Sequence, residues 1–247
     1  MGLVTWLCLT MCFLSENWEE TLGWKGDVVI GTMRKKGPVI EFVFLGFPTT
    51  SSRPPIVALL TALNSVDSAE KTNALLGAYH ITVETNENDA AEELVNLIED
   101  LTFCHPPREA PGRFRKQGMR IREYVFLEKN PFQGMFEGAS CHALDLAYLQ
   151  GNPDIFAGTK QEKIAREMAN KLKDTWIGIA YGELWWEEGK MMKFGPDGSI
   201  GEVDREKWWV EGRRGGKWDV FDQLNKVEVG GVVVVLAGFL CMLIGKG

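Results

Sequence analysis

Positive charge is scarce in this 247-residue chain, and so are the residue clusters from which most reactive centres are built. It has 27 basic against 34 acidic side chains, a net charge of −7. That balance excludes a general nucleic-acid binder, which needs a Lys/Arg excess to neutralise phosphates. The five cysteines, Cys8, Cys12, Cys104, Cys141 and Cys241, are odd in number and have no CxxC spacing. A disulfide framework and a structural zinc site are therefore disfavoured, although one or two disulfides stay open. No Gly-rich phosphate loop follows a strand, and no His/Asp/Glu cluster stands at ligand spacing, so neither cofactor nor metal is expected. Seven serines are present, and none occupies a Gly-x-Ser-x-Gly elbow. What the chain does have is 45% hydrophobic and 11% aromatic residues, enough for a packed core and incompatible with disorder throughout. At about 150 residues per domain the length allows one large domain or two small ones.

Two apolar runs mark the ends. Gly2 to Leu14 is as long as a signal-peptide core, but no Lys or Arg precedes it and no small-x-small cleavage pattern follows. Val229 to Ile244 is uncharged and bounded by Glu228 and Lys246. It falls short of the roughly 20 residues of a spanning helix. Each run reads either as a membrane or export segment or as a buried element, and secretion or membrane association follows only from the first reading.

Between the ends the pattern is that of an α/β protein. Asp27 to Thr32 (DVVIGT) is a short β-branched run leading into a Gly-containing loop, as expected of a buried parallel strand. Asp89 with Glu92 reads as a capping box opening a helix whose apolar face is Leu94, Leu97, Ile98 and Leu101. The prolines of His105 to Gly112 (HPPREAPG) are expected to stop that helix in a loop. Arg122 to Leu127 reads as a strand, Glu128 to His142 as a long loop, and a helix is expected from near Ala143. Ile164, Met168, Leu172 and Trp176 form one stripe of a helix over Gln161 to Tyr181. From Trp185 onward Gly, Trp and charge dominate, with a turn at Gly195-Pro196-Asp197-Gly198, and the segment reads as a surface meander.

Of the three histidines, His80 and His105 read as structural. His142 closes a Gly-rich loop after a strand and precedes a helix that Asp145 can help cap, the place from which a general base reaches a cleft. Ser140 and Cys141, beside it, read as loop packing. Ser140 lacks the second glycine of an elbow, and adjacent residues in extended chain point their side chains apart.

The stretch Lys129-Asn130-Pro131 to Gly134, followed by Gly138-Ala139-Ser140-Cys141-His142-Ala143-Leu144-Asp145 and on to Asn152, resembles the histidine loop of type-B carboxylesterases, the α/β-hydrolases related to cholinesterases. Trp24 to Thr32 resembles the strand before that family's acid loop, and Leu94 to Phe103 the helix carrying the Asp found here as Asp100. The resemblance covers about residues 18–224 and leaves out the apolar stretches 1–17 and 225–247. It implies the C-terminal part of an α/β-hydrolase fold, with an incomplete central sheet flanked by helices, an ester as substrate and His142 as the base of a Ser-Asp/Glu-His triad. The triad order places the serine elbow before the acid, and this chain holds no matching nucleophile there. The family's acid, a glutamate directly before a glycine, corresponds to Lys36 in Gly31-Thr32-Met33-Arg34-Lys35-Lys36-Gly37. A cation there reverses the electrostatics an imidazolium needs, and Glu41 could serve only through a rearranged loop.

The sequence thus points to a truncated or degenerate carboxylesterase-like protein, inactive as an isolated chain. One rival reading is a non-enzymatic interaction protein that keeps the esterase surface and is tethered through residues 229–244. Another is an enzyme whose serine-bearing half is supplied by a second chain.

Overall fold

The computed structural model describes residues 27–33, 69–82, 84–85, 87–134, 136–141, 144–183, 186–211, 217–223 and 232. The Gly2–Leu14 run, Lys36, Glu41, His142 and nearly all of Val229–Ile244 lie outside these. Among the described residues no helix is long and apolar enough to cross a membrane. The chain divides into two compact units, one of residues 1–8, 22–36 and 107–213, the other of residues 9–21, 37–106 and 214–247.

The first unit is built on a four-stranded mixed sheet in the order β1-β2-β3-β4. Its strands are β1 (Asp27–Met33), β2 (Arg120–Phe126), β3 (Lys190–Phe194) and β4 (Ile200–Asp204). β1, β2 and β3 run parallel, and β4 returns antiparallel to β3. Parallel strands need helical crossovers, which bury them on both faces. β2 accordingly carries an unbroken buried run from Glu123 to Phe126.

One sheet face, with Tyr124 and Phe126 of β2 and Met192 and Phe194 of β3, packs on helices α4 (Leu144–Gln150) and α5 (Glu162–Ala180). α5 follows the expected period but turns slightly from the expected stripe. Met168 and Leu172 are fully buried, Ile164 and Trp176 only partly, and small residues, Ala165 and Ala169, let the helix approach the sheet. Each fully buried Phe, Leu or Met contributes roughly 1.5–3 kcal/mol, so this cluster is a large contribution to the unit's stability.

On the other sheet face Glu123 is 2% exposed and receives Arg205 Nε at 2.7 Å and Arg115 at 3.3 Å. Burial still pushes its carboxyl up from the ordinary 4.5, against the lowering pull of the two guanidinium groups.

In the second unit, α1 (Ala69–Ala78) contacts the short α7 (Trp218–Asp222). Helix α2 (Glu87–Glu99) buries Leu94, Leu97 and Ile98, with Leu101 beyond it, as the apolar period predicts. It starts two residues before Asp89, so Asp89 is not the residue that precedes the helix but lies within the first turn, where its charge favours the helix dipole.

Two expectations are corrected. His105–Gly112 is not a loop: after a π-helical turn at Asp100–Cys104 the chain continues as α3 (His105–Lys116). The helical run from Glu87 through this turn to Lys116 is unbroken, so Pro106, Pro107 and Pro111 each forfeit a ladder bond, and the π-helical turn directly before the first two is a local irregularity of that ladder. Nor is the segment after Trp185 a surface meander. β3 is an interior strand between β2 and β4, with Met191 at 1% and Phe194 at 2% exposure. The edge strand β4, with no residue buried, and the last helix of this unit, α6 (Arg205–Glu211), apart from buried Trp209, keep the exposed character expected of the segment.

Candidate active site: the loop after the second strand

The three parallel strands end in register, since Met33 pairs with Phe126 and Phe126 with Phe194. The chain therefore leaves β1 toward Lys36 and leaves β2 toward His142 from neighbouring positions at one end of the sheet. In open α/β sheets this carboxyl end of the strands is where ligands bind.

The loop after β2 is tied down along its length. Leu127 N–H donates to the Phe194 carbonyl at 2.7 Å. The carboxylate of Glu128, 0% exposed, accepts the backbone N–H groups of Lys129 (3.1 Å), Asp197 (3.1 Å) and Gly198 (2.7 Å). The β3–β4 turn is thereby docked on the start of the loop. Gly195 makes the docking sterically feasible: its φ is +89°, and a Cβ there would meet Glu128 N at 2.5 Å. Lys129 Nζ bonds Asp197 at 2.8 Å, an exposed pair that adds little.

Asn130 closes the loop on itself. Its N–H donates to the Ala139 carbonyl at 3.0 Å, its carbonyl accepts from Gly138 N–H at 2.8 Å, and its Oδ1 accepts from Phe132 N–H at 3.0 Å. The Tyr148 hydroxyl donates to the Lys129 carbonyl at 3.2 Å.

Ser140 and Cys141 are held in structural roles. The Ser140 hydroxyl donates to the Phe126 carbonyl at 2.9 Å, which uses up its proton. Cys141 is buried, and the Asn130 amide donates to its Sγ at 3.8 Å. Burial, with the Asp145 charge adding to it, pushes the Cys141 thiol up, so at neutral pH it is a thiol and not a nucleophilic thiolate.

On the far side of the loop Tyr124 donates to Asp145 Oδ2 at 2.7 Å, while Asp145 Oδ1 accepts the N–H of Leu146. Burial, then the Asp145 carboxylate, push the Tyr124 phenol well above its ordinary 10.0, so it is a permanent donor. Asp145, expected to help cap this helix, is instead its second residue, and its bond to Tyr124 ties α4 to β2. Neither Tyr124 nor Glu128 was singled out by sequence reasoning, because a strand tyrosine and a loop glutamate look ordinary until their partners are known.

The remaining candidates belong to the second unit. His80 is exposed just past α1, with φ +55°, and its carbonyl accepts from Thr85 Oγ1. His105 is buried, with its ring 5.7 Å from that of Phe221. Asp100 is buried and accepts the Tyr79 hydroxyl at 2.7 Å, so it serves its own unit's core.

No protein-family model matches the chain, and no curated protein matches it. Among solved structures it is similar to PNB esterase, with 16% identity and a TM-score of 0.49 over 72% of this chain and 36% of that one. A second PNB esterase structure gives 16% identity and a TM-score of 0.48 over 72% and 35%. The chain therefore spans about a third of the length of these esterase structures.

Proposed function

We propose that this chain is carboxylesterase-like: a partial or degenerate relative of the type-B carboxylic ester hydrolases, with the α/β-hydrolase arrangement around its sheet. His142 holds the place of the general base and Lys36 that of the orienting acid. The supporting observation is the pairing of Met33 with Phe126, which starts the two loops side by side at the carboxyl end of parallel strands. The motif from Lys129 to Asn152 supplies the residue types.

In a serine esterase the imidazole takes the hydroxyl proton as the oxygen attacks the ester carbon, then returns it to the departing alcohol. The acid partner stabilises the imidazolium in between. A lysine in the acid's place supplies no negative charge to stabilise an imidazolium, and with no serine elbow the proton has no donor of the required kind. Chemical turnover by the chain alone is therefore not expected.

Purified protein given a short-chain nitrophenyl ester should release nitrophenol no faster than the His142→Ala variant. Turnover abolished by that substitution would overturn the inactive reading and establish His142 as a working base. The apolar run 229–244 motivates a second reading, a tethered non-enzymatic interaction protein. Retention in membranes after carbonate extraction would favour it, and release would count against it.

A further inference from the structure

Two distant stretches of chain meet at one carboxylate. Glu128, 0% exposed, takes the N–H of Lys129 from its own loop at 3.1 Å. From the turn between β3 and β4 it takes Asp197 N–H at 3.1 Å and Gly198 N–H at 2.7 Å. Backbone N–H to carboxylate is the stronger class of hydrogen bond, and a side chain closed to water has no solvent to replace a lost donor.

Each stretch is also held on its own side. In the loop, the Tyr148 hydroxyl donates to the Lys129 carbonyl at 3.2 Å, and Asn130 bonds Gly138 and Ala139 across the neck. In the turn, Gly195 N–H donates to the Ser199 carbonyl at 2.7 Å, and Lys171 of α5 donates to the Gly198 carbonyl at 3.3 Å. If the turn leaves, the carboxylate loses two of its three donors; if the loop leaves, the same two donors lose their acceptor. Both movements break the same bonds, so each stretch restrains the other equally.

Turn and loop both lie at the carboxyl end of the parallel strands, since Phe126 and Phe194 pair where β2 and β3 end. We propose that Glu128 makes them a strap: the loop after β2 and the β3–β4 turn open as one body, so that loosening the turn loosens the loop. Its value as regulation rests on reading that loop as the candidate site; the coupling itself does not.

Amide exchange of the full chain reads the coupling, because amides released by one opening shift together by one factor. Tyr148→Phe removes a bond to the loop and leaves the Asp197 and Gly198 donors in place. It should speed exchange at Lys129, Asn130, Asp197 and Gly198 by one common factor, about threefold to tenfold for a lost neutral hydrogen bond. Gly195→Ala, which crowds the Glu128 backbone from the turn side, should do the same by a larger shared factor. In Glu128→Gln the strap is weakened, and adding Tyr148→Phe should then speed Lys129 and Asn130 with little further effect on Asp197 and Gly198. Ala169 and Leu172, inside α5, should keep wild-type rates throughout.

Lys129 and Asp197 also join the two stretches through an exposed ion pair. Salt at about 1 M screens such a pair but not a side chain closed to water. Neither salt nor Lys129→Ala should therefore reproduce the common shift. Tyr148→Phe that quickens the loop amides alone would overturn the proposal. So would Lys129→Ala matching Glu128→Gln, or α5 amides that quicken by the same factor, which would mean global opening. If Glu128→Gln fails to fold, the comparison of Tyr148→Phe with Lys129→Ala decides. These rates need no ester, so failure of the esterase reading shows up separately in the nitrophenyl assay.

Discussion

The Tyr124 ring lies so close to Gly31 that a Cβ added to the glycine would fall 2.2 Å from Cζ and 2.4 Å from the hydroxyl oxygen. A tyrosine tip can often swing aside, but this one is held by Asp145 and by two aromatic neighbours. Gly31→Ala should therefore overpack the sheet and cost about 1–3 kcal/mol, read as a lower denaturation midpoint with an unchanged slope. Stability equal to wild type would show that the ring is free to move.

Glu123 gives a prediction with a pH sign. Glu123→Ala strips the partner from Arg205 and should cost about 3–5 kcal/mol. The pH dependence follows from its raised carboxyl. A group whose folded value lies above its unfolded one contributes stability at low pH, and that contribution is lost as pH rises through the folded value. The unfolding free energy of wild type relative to Glu123→Gln should accordingly fall as pH is raised from the ordinary 4.5 upward. A rise over that interval would mean that the two arginines outweigh burial.

Glu128 accepts three backbone N–H groups through a fully buried carboxylate. Glu128→Gln replaces one acceptor oxygen with a donor and leaves at least one of those groups unmatched. A loss of about 1–3 kcal/mol is expected, with faster amide exchange at Asp197 and Gly198 before any other residue of the hairpin. Uniform exchange across β3 and β4 would refute a local clamp.

Cys141 should resist alkylation in the folded protein at neutral pH, since burial holds it as a thiol. Peptide mapping after iodoacetamide should find it labelled slowly, faster as pH is raised above the ordinary thiol value of 9.0, and at once on unfolding. Rapid labelling at pH 7 would mean that the loop opens.

Sequence pattern alone reached the elements whose period is strong and whose packing is one-sided. Val28 and Ile30 in β1, the Leu94–Leu101 face and the Met168–Leu172 stripe are such cases, because burial there simply follows spacing. It failed at His105–Gly112, where proline reads as a stop although the helix runs on through it after a π-helical turn. It failed again at β3, whose two lysines disguise a strand buried between neighbours. Around the site, pattern singled out His142 and Asp145 as candidates, and Lys36 follows only from the resemblance to type-B carboxylesterases.

The sequence by itself determined the acidic balance, the α/β alternation, the identity of the residue at each candidate position and the absence of a serine elbow, all of which are properties of composition and local spacing. Only the tertiary structure decided that the loops after β1 and β2 start side by side, that Glu128 belongs to a turn 69 residues away, and that Tyr124 and Asp145 share a proton-bearing contact. Those facts depend on strand register and on hydrogen bonds between residues distant along the chain, and no local preference encodes them.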